Sequence, residues 1–384
     1  MKHARRPLLL LALIIPVAVG SMQRAGSPPT PAATDTITGI VVRAANAFLS
    51  TLSDAERTKV AFAFSSAQRT GWSNLPSGIF ERRGLRLGDL TSRQRDAALA
   101  LVAAALSREG YQKITDIMNG DEVLKNAGGG RTGGRPGGGG PGGPGAVPGV
   151  QGRPGGPGGR GGPGGRGGPG GGGVIFGRDE YYIALLGTPS TTAPWLLQFG
   201  GHHLAINVTI VGQTSVLTPS LPAAQPAKFT LNGQTVRPLG DENDKAFALI
   251  NALGAAERKQ AILNYQVNDL VLGPGQDGKT IQPEGVLASA LNASQQAMLL
   301  DIAHEWVGIL NDQAANARMA EIRANLPRTY FAWSGSTTNG GLAYYRIQGP
   351  TLVIEYAPQQ GDLDHIHTIY RDPTNDYGAK LVTP

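Results

Sequence analysis

The chain has 384 residues, a formal net charge of +6 and no cysteine. Its length allows one large domain or two ordinary domains with a buried core, and the lack of cysteine excludes disulfides, thiolate metal sites, a cysteine nucleophile and lipid anchoring through cysteine. Nine basic residues lie at the extreme N-terminus or in an acid-free glycine tract, so the remaining chain carries about −3, which argues against nucleic acid as its main partner.

Residues 1–20 predict a secretory signal peptide. They combine a basic start, an apolar run over residues 7–19 and a small-x-small cleavage site at residues 18–20. The apolar run is short for a membrane span. We therefore expect export to the periplasm or the extracellular space, no transmembrane span after cleavage, and a flexible segment over residues 21–37. An uncleaved membrane anchor is the alternative.

Residues 38–127 predict the helical part of a first half. A helical stretch from Thr91 to Met118 opens with a capping signal, in which Thr91 precedes Gln94 by three positions. Apolar residues then recur at three-to-four spacing, as on one face of an α-helix.

Residues 128–173 are almost all glycine, proline and arginine, and every third residue from 149 to 170 is glycine. The second position of each triplet is mostly glycine instead of proline, which argues against a stable collagen triple helix. Such a tract cannot bury enough apolar area to offset its chain entropy. It therefore predicts a disordered Gly/Pro/Arg-rich insertion, with a solvated linker favoured over contact with anionic envelope polymers.

The remaining sequence repeats the order of helices followed by strands. Residues 174–240 predict the strands of the first half, residues 241–328 the helices of a second half, and residues 329–384 its strands with a C-terminal extension. The repeated order indicates an α+β fold made of two related halves from an internal duplication, each with helices followed by antiparallel strands. If the halves pack about a pseudo-twofold axis, their strands form one sheet or face each other across a shared groove.

The histidines are the main functional clue. Apart from His3 and His304 they form two close groups, the adjacent pair at 202–203 and the pair at 365 and 367. Imidazole is the commonest metal ligand in proteins and a frequent proton carrier near neutral pH. We predict that the two groups meet in one polar site, although they are far apart along the chain.

Strand alternation selects among these ligands. Side chains two apart on a strand point to the same face, so His365 and His367 are expected to act together. The adjacent residues His202 and His203 are expected to point to opposite faces. His203 is favoured as the ligand because it shares its expected face with Asn207, whereas His202 shares an apolar face.

The predicted metal ligands are therefore His203, His365 and His367, and Glu355 is predicted as a fourth ligand or a general base. This set suits zinc, iron, manganese or copper. Structural histidines and metal-free acid-base catalysis are the alternatives. Further candidates, as ligands, partners of ligands or turn residues, are His202, Asp364, Asp372 and Asn207. Arg371 is a candidate anion-binding residue or salt-bridge partner, and the structural role is favoured.

Several sharper mechanisms are excluded by pattern. The His304-Glu305 pair is followed by Gly308 where a zinc-protease helix needs its second histidine. The chain contains no Gly-x-Ser-x-Gly motif and no phosphate-binding glycine loop with a Lys-Ser/Thr ending. Serine hydrolases and nucleotide-dependent enzymes are therefore disfavoured.

Several segments together resemble the family called domain of unknown function 3500. They are residues 201–207 (GHHLAIN), 345–350 (YRIQGP), 354–356 (IEY), 365–368 (HIHT) and 371–372 (RD). The resemblance covers nearly all of residues 40–384 except the glycine tract. It implies an exported protein with the family's fold and implies no particular reaction. Members usually lack so long a glycine tract, which marks the tract as an insertion in a surface loop.

The sequence thus predicts an exported, metal-dependent enzyme that acts on an envelope or extracellular small molecule or polymer. The alternative is a non-catalytic metal- or ligand-binding module of the cell envelope. A third possibility is a structural protein whose histidines only stabilise the fold.

Overall fold

The computed structural model describes residues 36–128 and 173–382. The predicted signal peptide, the segment up to residue 35 and residues 129–172 of the predicted insertion lie outside these ranges. Of the helices within them, none combines the length and the apolar character needed to cross a membrane.

Helices of the first half begin at side chains that accept hydrogen bonds from otherwise free backbone N–H groups. Ser53 and Thr91 each form a capping box, with Glu56 and Gln94 respectively. The stretch predicted from Thr91 is two helices, because Ser107 caps a second one. The helices are α1 (Ile37–Ser50), α2 (Asp54–Val60), α3 (Ser92–Ala105) and α4 (Arg108–Asn126).

Two of the helices of the second half begin in the same way. Asn292 forms a capping box with Gln295, and Asn311 caps the next helix, so the chain after Asn292 again forms two successive helices. The helices are α5 (Gly240–Ala252), α6 (Ala255–Ala261), α7 (Ala293–Val307), α8 (Asp312–Asn325) and the short C-terminal α9 (Ala379–Val382).

The strands form two main sheets and one small hairpin. The first sheet has the order β1-β3-β4-β5-β6, with β2 also pairing β3 and β7 also pairing β5, and it is antiparallel except for β1 and β3. Its strands are β1 (Ala61–Phe62), β2 (Leu85–Arg86), β3 (Tyr182–Leu186), β4 (Trp195–Gly201), β5 (Leu204–Val211), β6 (Thr214–Val216) and β7 (Leu221–Pro222).

The second sheet is antiparallel throughout and has the order β10-β11-β12-β13-β14. The C-terminal extension supplies its last strand, as predicted. The strands are β10 (Val286–Leu287), β11 (Tyr330–Gly335), β12 (Ala343–Gly349), β13 (Leu352–Pro358) and β14 (Ile366–Arg371), and the hairpin is β8 (Phe229–Leu231) with β9 (Gln234–Val236).

A connecting segment over residues 218–227 joins the two sheets. On one side β7 pairs with the beginning of β5, and on the other side Ser220 and Ala224 form bridges to Tyr370 and Ile366 of β14. The beginning of β5 therefore lies one strand away from β14. This arrangement brings the two histidine-bearing segments to the same place.

The fold is α+β with mainly antiparallel sheets, as the sequence predicted. A large apolar core between helices and sheets includes side chains from both halves. Three large side chains illustrate this, since Phe48 comes from α1, Trp306 from α7 and Trp333 from β11. Four large aromatic side chains of the two main sheets are buried: Trp195, Trp333, Tyr344 and Tyr345.

Candidate metal centre

A two-residue turn between β4 and β5 carries His202 and His203. Gly201 pairs with Leu204, which leaves only the two histidines to close the hairpin. His203 has a φ of 59°, in the left-handed region that tight hairpin turns require. The strand alternation expected for this pair therefore does not apply, and the two rings pack with their centroids 3.6 Å apart.

Hydrogen bonds hold this turn from several sides. The backbone N–H of His203 donates to the carbonyl of Asn74 over 3.1 Å, and the carbonyl of His203 accepts from the N–H of Ala223 over 2.8 Å. The hydroxyl of Tyr181 donates to the carbonyl of His202 over 2.8 Å. Because the backbone is fixed in this way, the imidazole of His203 has a defined direction.

The second pair of histidines stands at the start of β14. His365 precedes the strand and His367 lies within it, and their Nε2 atoms are 3.1 Å apart. These side chains act on the same side, as the alternation argument predicted for residues two apart.

The two histidine groups meet. The Nε2 atom of His203 lies 2.8 Å from Nε2 of His365, and the ligand atoms of His203, His365 and His367 all lie within 4.8 Å of one another. In a tetrahedral zinc site with Zn–N bonds of 2.0–2.1 Å, neighbouring ligand nitrogens are about 3.3 Å apart. The three imidazoles thus have roughly the spacing of one face of such a site.

Asp269 orients the ring of His367. Its Oδ1 atom lies 2.9 Å from Nδ1 of His367, so Nδ1 carries the hydrogen and Nε2 keeps its lone pair. Asn74 adds a contact of 3.2 Å between its Nδ2 and the same Nε2. In a metal-binding histidine, the ring nitrogen that does not bind the metal usually donates a hydrogen bond to a carboxylate or another acceptor. Burial opposes ionisation of Asp269, but the hydrogen bond and charge interaction with His367, the N–H of Leu270 and the charge interaction with His365 together outweigh it and lower the pKa of the carboxyl.

Burial and neighbouring imidazoles keep His203 and His365 neutral. Burial is the largest cause that lowers the pKa of His203 well below its ordinary value. The neighbouring imidazoles add to this effect, and His202 contributes most among them. Burial and then His367 lower the pKa of His365 to about 4. Neutral imidazole is the form that binds a metal ion.

Hydrogen bonding alone satisfies this cluster poorly. A nitrogen–nitrogen contact is a hydrogen bond only when one atom carries a hydrogen and the other a lone pair. The Nε2 of His365 contacts both other Nε2 atoms, so its one hydrogen or one lone pair must serve two neighbours. A cation can accept the lone pairs of all three imidazoles.

A second imidazole–carboxylate pair adjoins the three histidines. Asp121 of α4 is buried, and its Oδ1 lies 2.5 Å from Nδ1 of His202. The ring of Phe176 packs against His202 with a centroid distance of 4.6 Å. Asp121, His202 and His203 form a second group whose ligand atoms lie within 4.8 Å of one another.

Glu355 lies elsewhere in the site region. Its carboxylate accepts hydrogen bonds of 2.8 Å from the N–H groups of Val271 and Leu272 and from the hydroxyl of Tyr344. Burial raises its pKa, against the effect of these donors. Within residues 36–128 and 173–382 it belongs to neither group of clustered ligand atoms. Its contacts anchor the loop that carries Asp269, and its role as a ligand or base stays a prediction.

Arg371 anchors the same loop. It is buried, and it donates to the carbonyls of Leu272 and Gly273 over 2.7 and 2.9 Å. Ion pairs with Asp277 at 3.1 Å and Asp376 at 2.9 Å neutralise its charge. These contacts are those of a structural arginine, the role that the sequence favoured over anion binding.

The other candidates stabilise turns and strand connections. A carboxylate oxygen of Asp364 accepts from the N–H of Ala227, and Asn207 donates to the carbonyl of Pro219 in the connecting segment over 2.9 Å. Asp372 accepts from Thr374 within the predicted turn and pairs with Arg318 at 3.2 Å.

Sequence reasoning missed three polar residues that touch the histidines: Asn74, Asp121 and Asp269. Each is separated from its partner by 81 residues or more. No local spacing motif marks such residues, because the fold alone brings them to the imidazoles.

Comparison with known proteins gives the family. No significant match was found among curated proteins or among solved structures. A family model described as a protein of unknown function matches residues 34–379, which is nearly the whole chain. The chain therefore belongs to the DUF3500 family.

Proposed function

We propose that the protein is an exported, metal-dependent enzyme whose ion is bound by His203, His365 and His367. The convergence of three Nε2 atoms, with contacts of 2.8 and 3.1 Å, is the observation that carries this proposal. Zinc fits an all-imidazole set of this spacing best, with iron, manganese and copper as the other candidates.

The open side of the cluster favours catalysis. Structural zinc sites are closed by four protein ligands, whereas catalytic sites have three and keep a position for water or substrate. His203 and His367 are buried, whereas His365 is partly exposed, so the cluster is approached from the side of His365. A bound divalent ion would supply Lewis-acid chemistry that polarises a carbonyl or makes water nucleophilic near neutral pH.

The surrounding residues have supporting roles in this proposal. Asp269 fixes the hydrogen of His367 on Nδ1, which leaves Nε2 as the ligand atom. Glu355 holds the loop that positions Asp269, so we assign it a positioning role and not the ligand or base role that the sequence predicted.

A non-catalytic metal-binding module of the cell envelope is the second candidate. The deep burial of His203 and His367 favours it, because solvent reaches little of the cluster. This candidate differs from an enzyme in one respect, since it binds the ion stably without turning over any substrate.

Export and duplication complete the proposal. The basic, apolar and small-residue segments of residues 1–20 support cleavage before Ser21. The mass of the mature protein tests this cleavage site.

Corresponding strand pairs support the duplication: Ala61 with Leu185 and Ile262 with Trp333 are parallel, while Leu85 with Ile183 and Val286 with Phe331 are antiparallel.

Elemental analysis tests the metal site. The mature protein and the His365→Ala/His367→Ala double variant are supplied with metal, desalted and analysed. We expect close to one ion per chain in the unmodified protein and almost none in the double variant. His304→Ala is the matched control, because His304 is an exposed histidine on α7, and it should retain the ion.

Lack of retained metal in the unmodified protein would overturn the proposed centre. If metal is retained, hydrolysis assays on ester, amide and phosphoester substrates separate the two candidates. Turnover that disappears with the ion supports an enzyme, and binding without turnover of any substrate class supports the binding module.

A further inference from the structure

Exposed aliphatic side chains are concentrated around the candidate metal centre. In the described part of the chain, nine large apolar side chains are exposed. Five of them adjoin segments that touch the histidines, and we call these five the aliphatic rim. They are between 39% and 59% exposed: Leu75, Ile79, Ile175, Val271 and Leu363.

Three rim residues border the turn that carries His202 and His203. Leu75 follows Asn74, whose side chain contacts His367. The backbone carbonyls of Leu75 and of Gly201, which precedes the turn, both accept hydrogen bonds from Nη2 of Arg82.

The segment after Leu75 extends this border. Ser77 forms a bridge with Ile175, and Ile79 lies two residues beyond Ser77. Phe176, next to Ile175, packs against the ring of His202. These contacts link the segments that carry Leu75, Ile79 and Ile175 to one another and to the ring of His202.

The other two rim residues flank the ligands directly. Val271 lies two residues after Asp269, and its N–H is fixed by the carboxylate of Glu355. Leu363 lies two residues before His365, the ligand through which the cluster is approached. The rim is therefore contributed by separate segments around one polar centre.

Isolated exposed apolar residues are ordinary, but a group of them around a site marks a binding surface. All five rim side chains are aliphatic. They offer neither the hydrogen bonds nor the flat ring face that sugars or aromatic ligands use. Leu363 stands between exposed Asp362 and Asp364, and partly exposed Asp269 is nearby, which disfavours docking on an anionic membrane.

We propose that the aliphatic rim binds the alkyl chain of an amphiphile, such as a fatty-acyl ester or amide, whose polar group reaches the histidines. This names the substrate class and rests on the proposed function for its chemistry. Binding of the chain itself depends only on the rim and is therefore measurable without metal.

Calorimetric titration with alkyl hydroxamates of two, six and ten carbons tests the rim, because this series changes chain length at a constant polar group. Zinc-loaded and metal-free forms of the mature protein are compared. We expect the affinity to rise by about two- to fourfold per methylene in both forms, as partial to full burial of each methylene predicts. The zinc-loaded form should bind every member more tightly.

Two variants locate the effect. Leu75→Ser/Ile79→Ser removes rim surface and should reduce the affinity for the ten-carbon compound at least tenfold, with little change for the two-carbon compound. Ile40→Ser removes an exposed isoleucine on α1, outside the rim, and should change neither. Circular dichroism and thermal melting confirm that both variants are folded.

Equal affinity for all chain lengths would overturn the proposal, as would an equal loss in the control variant. A chain-length effect in the metal-free form, together with no zinc binding, would keep the rim and reject the metal centre. Light scattering measures the oligomeric state and so tests whether a second copy of the protein occupies the rim instead. If the unmodified protein is a dimer that the rim variant converts to a monomer, a second copy covers the rim and the proposal is wrong.

Discussion

Two-residue hairpin turns occur in both main sheets, but of the turns at residues 202–203 and 350–351 only the first carries imidazoles. His202 and His203 close the hairpin of β4 and β5, where Gly201 pairs with Leu204. Residues 350 and 351 close the hairpin of β12 and β13, where Gly349 pairs with Leu352. The same two-residue connection therefore serves two purposes.

The neighbours of each turn explain the difference. The first turn faces Asn74, the connecting segment and the start of β14, which bring further polar side chains to it. The second turn faces α8, where Arg318 donates to the carbonyl of Thr351. One turn thus contributes to a convergent group of ligands, and the other attaches a helix to a strand.

The most direct test of the different roles of the two turns is to remove one imidazole and keep the backbone of the turn. Asn tolerates the left-handed conformation of His203, so His203→Asn preserves the backbone and deletes the ligand. We expect at least about a 100-fold loss of zinc affinity, more than the loss of a residue that only supports a ligand. Competition with a chromogenic chelator measures it.

Thr351→Ala is the matched variant at the other turn and should leave zinc affinity unchanged. Comparable zinc affinity in His203→Asn and the unmodified protein would show that the first turn is structural as well.

The turn also shows what the sequence could and could not predict. The spacing of His365 and His367 predicted their shared face, and a capping box predicted where α3 begins. The conformation of His203 could not be obtained from alternation, because a two-residue turn interrupts the strand at that position. The choice of His203 as a ligand was made from an expected face that the turn does not have.

Long-range partners were the other failure. Asp269 is 98 residues from His367 and Asp121 is 81 residues from His202. A carboxylate that orients an imidazole needs only proximity in space, so no spacing in sequence predicts it. The backbone partners of Glu355 could not be predicted either, because they lie in a loop without a recognisable pattern, and its role as a ligand or base stays a prediction.

Asp269 provides the next largest expected effect. Asp269→Asn removes the charge that holds the hydrogen of His367 on Nδ1, while it keeps the size of the side chain. Loss of such a supporting carboxylate typically costs 10- to 100-fold in metal affinity, and we expect about that loss in the same chelator competition. An unchanged affinity would show that the orientation of His367 does not depend on Asp269.

A smaller effect on metal is expected from Glu355. In Glu355→Gln only one side-chain oxygen remains to accept hydrogen bonds from the two backbone N–H groups. The amide N–H₂ group that replaces the second oxygen then faces one of these N–H donors. We expect a loss of about 2 kcal/mol in the free energy of unfolding, because hydrogen bonds to a charged group contribute about 1.5–3 kcal/mol each. Urea unfolding of the metal-free protein measures it.

The same variant separates two roles for Glu355. As a positioning residue it should lower zinc affinity only a few-fold, through the loop that carries Asp269. A loss as large as that of His203→Asn would instead identify Glu355 as a ligand, as the sequence predicted.

The smallest expected effect distinguishes the two imidazole–carboxylate pairs. Asp121→Asn changes the partner of His202 in the way that Asp269→Asn changes the partner of His367. His202 belongs to the group with Asp121 and not to the group with His365 and His367. We therefore expect zinc affinity to stay within about threefold of that of the unmodified protein. Loss of a contact that supports a true ligand typically lowers metal affinity tenfold or more. A loss equal to that of Asp269→Asn would make His202 a ligand and extend the centre toward α4.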